Sequence, residues 1–309
     1  ESFAPTYVES MKIVAERLGL APELTSGMGT AAHMENASIV SRSYKELTVT
    51  AIVTGGVETN GGRVGDPASY YKTAEKKCGT INIMLVIDAD LPPGILARAL
   101  VTCTEAKTAA LQELMAPSRY SAGLATGSGT DQTIVVANSE SPLFFEGAGK
   151  HSKLGELIGL AVMAAVKEAL KKQSGLTPAQ QHDLLRRLRR FGVTEETLWQ
   201  RYKEEVGDDA LIKAQFIAAL EKMIAVPALF PLGVLFIHLY DEHLWGLLEK
   251  GETWEAAEKL LKEMAAALRL KTQEGVLMQE GYMESLAMLL VRAVVERAAW
   301  AVSEANRCR

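Results

Sequence analysis

The chain has 309 residues, 48% of them hydrophobic and 23% charged, enough for one large domain or two ordinary ones with a full buried core. A net charge of −5 and a pI near 5.7 exclude a nucleic-acid binder that relies on a broadly positive surface. Cys78, Cys103 and Cys308 are odd in number and lack C-x-x-C spacing, which excludes a disulfide framework and reads as free thiols of a reducing compartment.

No charged-then-apolar segment opens the sequence, and Glu1 at its head points to a native start that precedes it. A cytoplasmic location is expected. Val8, Met11, Val14, Ala15 and Leu18 then recur at a helical period and stop at Gly19 before Pro22, which predicts a covering helix over 3–20. Residues 24–34, with Gly27 and Gly29, suit a loop. Two strand-like runs, 37–44 and 47–54, meet at Lys45 and Glu46. The second alternates apolar and hydroxyl residues, as a strand with one buried face does. A hairpin is the simplest reading, although Lys-Glu is not a favoured two-residue turn.

Residues 55–67, GGVETNGGRVGDP, carry Glu58, Asn60, Arg63 and Asp66. Two readings stand side by side: a polar connection ending in an Asp-Pro turn, or a loop that brings an amide, a guanidinium and a carboxylate to a ligand. The unbroken apolar run around 81–87 predicts a central strand covered on both faces, in which Asn82 needs hydrogen-bond partners. Pro92 and Pro93 open a helix that runs to Met115. Thr104, Glu105, Lys107 and Thr108 interrupt its apolar pattern. Glu105 and Lys107 are two apart and do not share a face, so either they point to solvent or one of them reaches a site.

The densest chemistry lies in 120–156. Gly123 to Thr130 is a loop of glycines and hydroxyls that leads to Asp131 and the β-branched run Thr133-Ile134-Val135-Val136. A second glycine turn, 147–149, delivers Lys150, His151 and Lys153 to the start of a helix over 151–172. Loops held by a rigid scaffold are where chemistry usually sits. A histidine at a helix start is kept neutral by the neighbouring amides, which suits a general base; a plain surface histidine is the alternative. Cys103, on an apolar helix face, reads as core.

Up to this point the pattern is α+β, a mixed β-sheet layered with helices over 1–174. Beyond Gln173-Ser174-Gly175 the strand signals stop. Helical segments follow over 179–191, 194–206, 209–225, 231–250, 253–270 and 283–305, so 175–309 is expected to be an all-α domain. Thr194 is a good N-cap with Glu195 and Glu196 in the first turn. The most apolar run, 223–240, contains Pro227, Pro231 and Gly233 and reads as a broken buried helix pair; a membrane span needs about 20 uninterrupted apolar residues. Trp199, Trp245, Trp254 and Trp300 read as core.

Several motifs are excluded by spacing. Gly127-Ser128-Gly129 is not G-x-S-x-G, no G-x-x-x-x-G-K-[ST] occurs, and no histidine or cysteine cluster has metal-ligand spacing. Asp241-Glu242-His243-Leu244-Trp245-Gly246 matches D-x-H-x-x-G, a pattern that puts histidine on cobalt in some corrinoid-binding domains. There it ends a strand, whereas here the context is helical.

The segments 55–67, Gly79-Thr80-Ile81-Asn82-Ile83, 104–111, 123–131 and 148–156 together resemble the adenosylcobinamide amidohydrolase (CbiZ) family, in order, over about 25–170. The resemblance implies hydrolysis of the amide that joins the aminopropanol arm to the corrin ring. The products would be adenosylcobyric acid and 1-amino-2-propanol, in corrinoid salvage for cobalamin synthesis. It implies a small-molecule corrinoid as substrate, with no separate cofactor or metal and no nucleic-acid or membrane partner.

Amide hydrolysis needs a nucleophile, donors for the oxyanion and an acid for the leaving amine. His151 is the expected base, oriented by Asp131, with Lys150 or Lys153 as a positive donor. Water or a hydroxyl of Thr126, Ser128 or Thr130 attacks, and the backbone amides of 127–130, including Gly127 and Gly129, form the oxyanion hole. Asn60, Arg63 and Asp66, with Glu105 and Lys107, bind substrate. A corrinoid carrier without chemistry and an amidohydrolase of another substrate are the alternatives. The helical region could serve as a homo-oligomer contact, a cap over the corrin or a contact for another enzyme.

Overall fold

The computed structural model describes residues 6–68, 71, 79–207, 211–270 and 281–307; Cys78 and Cys308, like the side chain of Trp300, lie outside the described residues. The chain divides into two compact units, Glu1–Pro178 and Ala179–Arg309. Helix α1 (Tyr7–Arg17) comes first, followed by β1 (Ser38–Tyr44), β2 (Leu47–Gly55), the two-residue β3 (Gly61–Gly62) and β4 (Ile81–Ile87). Then come α2 (Pro93–Glu113), β5 (Gly127–Ser128), β6 (Gln132–Ala137) and α3 (Lys153–Ser174).

The main sheet has the order β1-β2-β4-β6. The β1–β2 and β2–β4 pairs are antiparallel and β4–β6 is parallel, so the sheet is mixed and the fold is α+β as the sequence pattern predicts. The predicted hairpin forms at Lys45 and Glu46, with Lys45 at φ +52°, a left-handed conformation that costs a non-glycine residue roughly 1–2 kcal/mol. Its strand pairing outweighs that cost.

Helix α3 lies along β1 and β2, α2 lies beside it over β6, and the two helices pack on each other. Ile81, Ile83, Leu85 and Ile87 are all fully buried beneath them, and full burial of such a side chain is worth roughly 1.5–3 kcal/mol. Cys103 is buried in this core, and that burial pushes its thiol up to about 12, against a smaller opposing pull from the Lys107 charge.

Two expectations are corrected here. β4 is interior in the sheet but is fully covered on one face only. On the other face Ile39, Ile52, Met84 and Ile134 line up across the four strands, with Ile39 exposed and Met84 half-buried. An unbroken apolar run does not distinguish one covered face from two. α1 is also a poor cover, since only its Ala15 is buried and Val8, Val14 and Leu18 are exposed. It is held instead by Tyr7, whose hydroxyl donates to Gln132 Oε1 (3.1 Å) and accepts from the Gly29 amide (2.6 Å). Asn82 is satisfied locally: its Nδ2 donates to the Gly29 carbonyl (2.7 Å) and its Oδ1 accepts from the Thr80 hydroxyl (3.0 Å).

The second unit is helical: α4 (Leu184–Leu188), α5 (Glu195–Val206), α6 (Lys213–Ile224), α7 (Leu229–Leu244), α8 (Lys250–Ala267) and α9 (Tyr282–Arg307). The first helix is shorter than the pattern over 179–191 predicts, because the Asp183 side chain caps the Arg186 amide and starts it late. Thr194 caps α5 as expected, accepting from the Thr197 amide. Among the described residues no single helix is long and apolar enough to cross a membrane; α6 and α7 taken together reach the composition but bend by 87° at their break. Trp199 and Trp254 pack against the core, whereas Trp245 is 54% exposed.

The D-x-H-x-x-G segment lies on α7 and its C-terminal turn and does not end a strand. Asp241 is committed to Arg190, which donates to it from Nη1 (2.8 Å) and Nη2, with 5% and 7% of the two side chains exposed. His243 Nδ1 lies 3.3 Å from the Leu248 carbonyl, its ring edge-on to Trp254. Removing one partner of a buried pair leaves the other charge uncompensated. Asp241→Ala is therefore expected to cost about 3–5 kcal/mol, read as a lowered denaturation midpoint.

Candidate active site

Two glycine loops meet because β3 and β5 pair as a short ribbon, Gly61 opposite Ser128 and Gly62 opposite Gly127. The parallel β4–β6 register sets Asn82 beside Gln132, which brings Asp131 to the start of β4. The middle of α2 passes alongside. Between them opens a cleft of ≈ 820 Å³, lined by Asn60, Arg63 and Asp66 from the first loop, Thr104, Lys107 and Thr108 from α2, then Tyr120 and 126–131.

At its centre Lys107 and Asp131 form an ion pair with side chains only 12% and 13% exposed. Asp131 Oδ1 accepts from the Ile81 amide (2.8 Å) and the Ser128 hydroxyl (2.6 Å); its Oδ2 accepts from the Ser128 amide (3.0 Å) and Lys107 Nζ. Gly127 is required here. A Cβ at that position would lie 2.8 Å from Lys107 Nζ and well inside contact with the Asp131 carboxylate.

Around this centre Tyr120 donates its hydroxyl to Asn60 Oδ1 (2.9 Å), and Asn60 Nδ2 donates to the Gly79 carbonyl (3.0 Å). Arg63 runs across Gly123, where a Cβ would come within 2.6 Å of its Cδ, and its Nη1 reaches the Leu124 carbonyl only at 3.5 Å. The guanidinium is thus weakly engaged at the cleft wall. Asp66 accepts from the Arg63 amide (2.7 Å) and the Ser118 hydroxyl (2.5 Å). Burial raises its pKa, but hydrogen bonds from Ser118, Ser121 and the Arg63 backbone, with the Arg63 charge, outweigh that and hold it below its ordinary value of 3.8.

The cleft gathers Asn60, Arg63, Asp66, Lys107, Thr126, Gly127, Ser128, Gly129, Thr130 and Asp131 from the sequence-derived candidates. Glu105, Lys150, His151 and Lys153 are not among its lining residues. Glu105 pairs with Lys150 at 3.0 Å, both about half exposed. Lys153 pairs with Glu156 (2.5 Å) and lies over the Tyr44 ring, and His151 is exposed in the turn before α3.

The turn that carries His151 meets α2 at Glu105, through Lys150, and Tyr44, through Lys153, whereas Asp131 is engaged by Ile81, Ser128 and Lys107. Asp131 therefore orients Ser128 and Lys107, not His151. Three of the four amides of the expected oxyanion hole are engaged: that of Ser128 serves Asp131, that of Gly129 the Asn60 carbonyl (3.3 Å) and that of Thr130 Ser128 Oγ (3.3 Å). Sequence reasoning missed Thr108 and Tyr120. For Thr108 a signal existed, its four-residue spacing from Thr104 on one helix face.

Fold and site define an α+β protein with a cleft lined by a nearly buried lysine–aspartate–serine group. The family model described as adenosylcobinamide amidohydrolase matches residues 2–178, and the chain belongs to that family. An uncharacterized protein of Methanocaldococcus jannaschii is 38% identical over 182 residues, covering 54% of this chain and 71% of that protein. A protein of Methanosarcina mazei named adenosylcobinamide amidohydrolase is 31% identical over 157 residues, covering 47% of this chain and 66% of its own length. No solved structure matches.

Gly127→Ala is expected to cost about 1–3 kcal/mol by overpacking, whereas Gly147→Ala, where a Cβ meets nothing within 4 Å, leaves the thermal midpoint unchanged. The lowered pKa of Asp66 stabilises the 63–66 turn fully above 3.8, and that contribution is lost as pH falls through the folded value. The protection factor of the Arg63 amide against hydrogen exchange should hold at about pH 5 and fall below the ordinary aspartate range.

Proposed function

We propose that this cleft hydrolyses the amide between the aminopropanol arm and the corrin ring of adenosylcobinamide, giving adenosylcobyric acid and 1-amino-2-propanol for corrinoid salvage. The observation that carries the reading is the enclosed Lys107–Asp131–Ser128 group at the centre of a cleft that lies wholly within the family-matched segment.

Each requirement of amide hydrolysis has a candidate there. Ser128 or water bound beside it supplies the nucleophile, Asp131 accepts a proton, and Lys107 protonates the departing amine. Arg63 supplies positive charge for the oxyanion, a role that the engaged amides of Ser128, Gly129 and Thr130 do not fill. Asn60 and Tyr120 offer an amide and a phenol to polar side arms of the substrate. The volume falls within the range of roughly 300–1,000 Å³ usual for small-molecule sites, and an open cleft suits an enzyme that takes in one arm of a large flat substrate. In this reading the cobalt arrives with the corrinoid, and no further cofactor takes part.

The test is to incubate the protein with adenosylcobinamide and quantify free 1-amino-2-propanol. Lys107→Met is expected to lower kcat/KM by about 10²–10⁴-fold, whereas His151→Ala leaves it within about twofold, because a surface histidine takes no part. A wild-type protein that binds the corrinoid but releases no amine would overturn the proposal in favour of a carrier.

A further inference from the structure

We infer that the attack is made by Ser128, through a covalent ester between its Oγ and the substrate acyl group, and that the cleft therefore also catalyses acyl transfer to amines. This rests on the amidohydrolase reading of the cleft. An ionised carboxylate offers about four lone-pair sites, and Asp131 already fills four: the Ile81 amide and Ser128 hydroxyl on Oδ1, the Ser128 amide and Lys107 ammonium on Oδ2. No site is left to hold and activate a water. Of the protons delivered to Asp131, only the one from Ser128 sits on a nucleophilic oxygen.

Among the described residues, the other cleft hydroxyls show hydrogen bonds to neutral groups. Thr104, Thr108 and Thr130 donate to the carbonyls of Leu100 (3.0 Å), Thr126 (3.1 Å) and Gly79 (2.9 Å), and Tyr120 donates to the Asn60 amide oxygen. None of these acceptors takes up a proton at neutral pH. Thr126 Oγ1 accepts from the Val64 amide. Ser128 is thus the described cleft hydroxyl whose closer acceptor is a carboxylate, 2.6 Å to Asp131 Oδ1 against 3.4 Å to the Gly79 carbonyl, and the Thr130 amide donating to its Oγ (3.3 Å) holds it in place. A nucleophile bonded to a base that a third group orients is the arrangement covalent catalysis requires.

The steps balance. Ser128 Oγ bonds to the amide carbon as its proton passes to Asp131 Oδ1. The carbon–nitrogen bond then breaks as Lys107 gives a proton to the nitrogen, and the amine leaves neutral. Asp131 then gives up its Oδ1 proton to solvent in the open cleft and neutral Lys107 takes a proton from solvent, which restores the ion pair on Oδ2. The esterified serine no longer donates to Oδ1, so that lone pair becomes free for a water. The water gives its proton to Oδ1 and its oxygen to the acyl carbon, the ester bond breaks, and Ser128 Oγ recovers a proton from Asp131. One water is consumed, and one acid and one amine are formed. A nucleophilic amine in place of that water yields a new amide instead.

Hydroxylamine is the probe. With adenosylcobinamide and the full chain, the corrin product should divide between acid and hydroxamate in proportion to hydroxylamine, while 1-amino-2-propanol appears at an undiminished rate. Acid-quenched protein should carry the acyl group on the peptide containing Ser128. Ser128→Ala should lose on the order of 10³-fold or more in kcat while still binding adenosylcobinamide, which separates lost chemistry from lost folding. Amine release without hydroxamate, with Ser128→Ala active, would overturn the ester and leave the amidohydrolase reading standing. If wild-type protein releases no amine, that reading fails, and a fluorophosphonate probe decides the nucleophile independently: labelling at Ser128 supports it and no labelling overturns it.

Discussion

The ion pair between Lys107 and Asp131 is the contact on which the first unit's cleft depends. One carboxylate holds the first amide of β4, the amide and hydroxyl of Ser128 in β5, and a lysine from the middle of α2. Three elements far apart in the chain converge on two oxygen atoms. A pair this enclosed is a poor source of stability, because desolvating both charges offsets most of their attraction. Its effect is geometric: with every lone pair occupied, the carboxylate and the serine have little freedom to turn away from the cleft.

That geometry constrains the loops around it. Gly127 must lack a side chain for Lys107 to reach Asp131, Gly61 must lack one to pass the Val57 carbonyl, and Gly123 leaves room for Arg63. The β3–β5 ribbon is only two residues long in each strand, yet it pins to the first glycine loop the turn in which Ser128 meets Asp131, three residues on. The same crowding engages the main-chain amides of Ser128, Gly129 and Thr130 within the loop. Glycine-rich loops are often assumed to cradle anions through their amides; here the amides build the loop itself.

The helical unit shows how little a short motif says without its context. Asp241 and His243 have the spacing seen in corrinoid-binding domains. The aspartate is taken by Arg190 and the histidine packs against Trp254. Both side chains are accounted for by packing within the unit.

Much was legible in the sequence alone. The β1–β2 hairpin, the β4 run, the proline start of α2, the Thr194 cap and the change from α+β to all-helical character rest on periodicity and capping, which act over a few residues. The family resemblance rested on motif order, and so did the involvement of Asn60 to Asp66 and Thr126 to Asp131. Tertiary structure alone decided which polar residue of α2 enters the cleft, because Glu105 and Lys107 differ only in their angle around one helix. It also decided that His151, twenty residues after Asp131 in the chain, sits exposed in the turn before α3 and outside the cleft lining, since a strand carries the chain away as surely as a turn brings it back. Two of the four protons on Asp131 come from Ser128, three residues away, but the other two come from positions 81 and 107, and only folding sets those beside it.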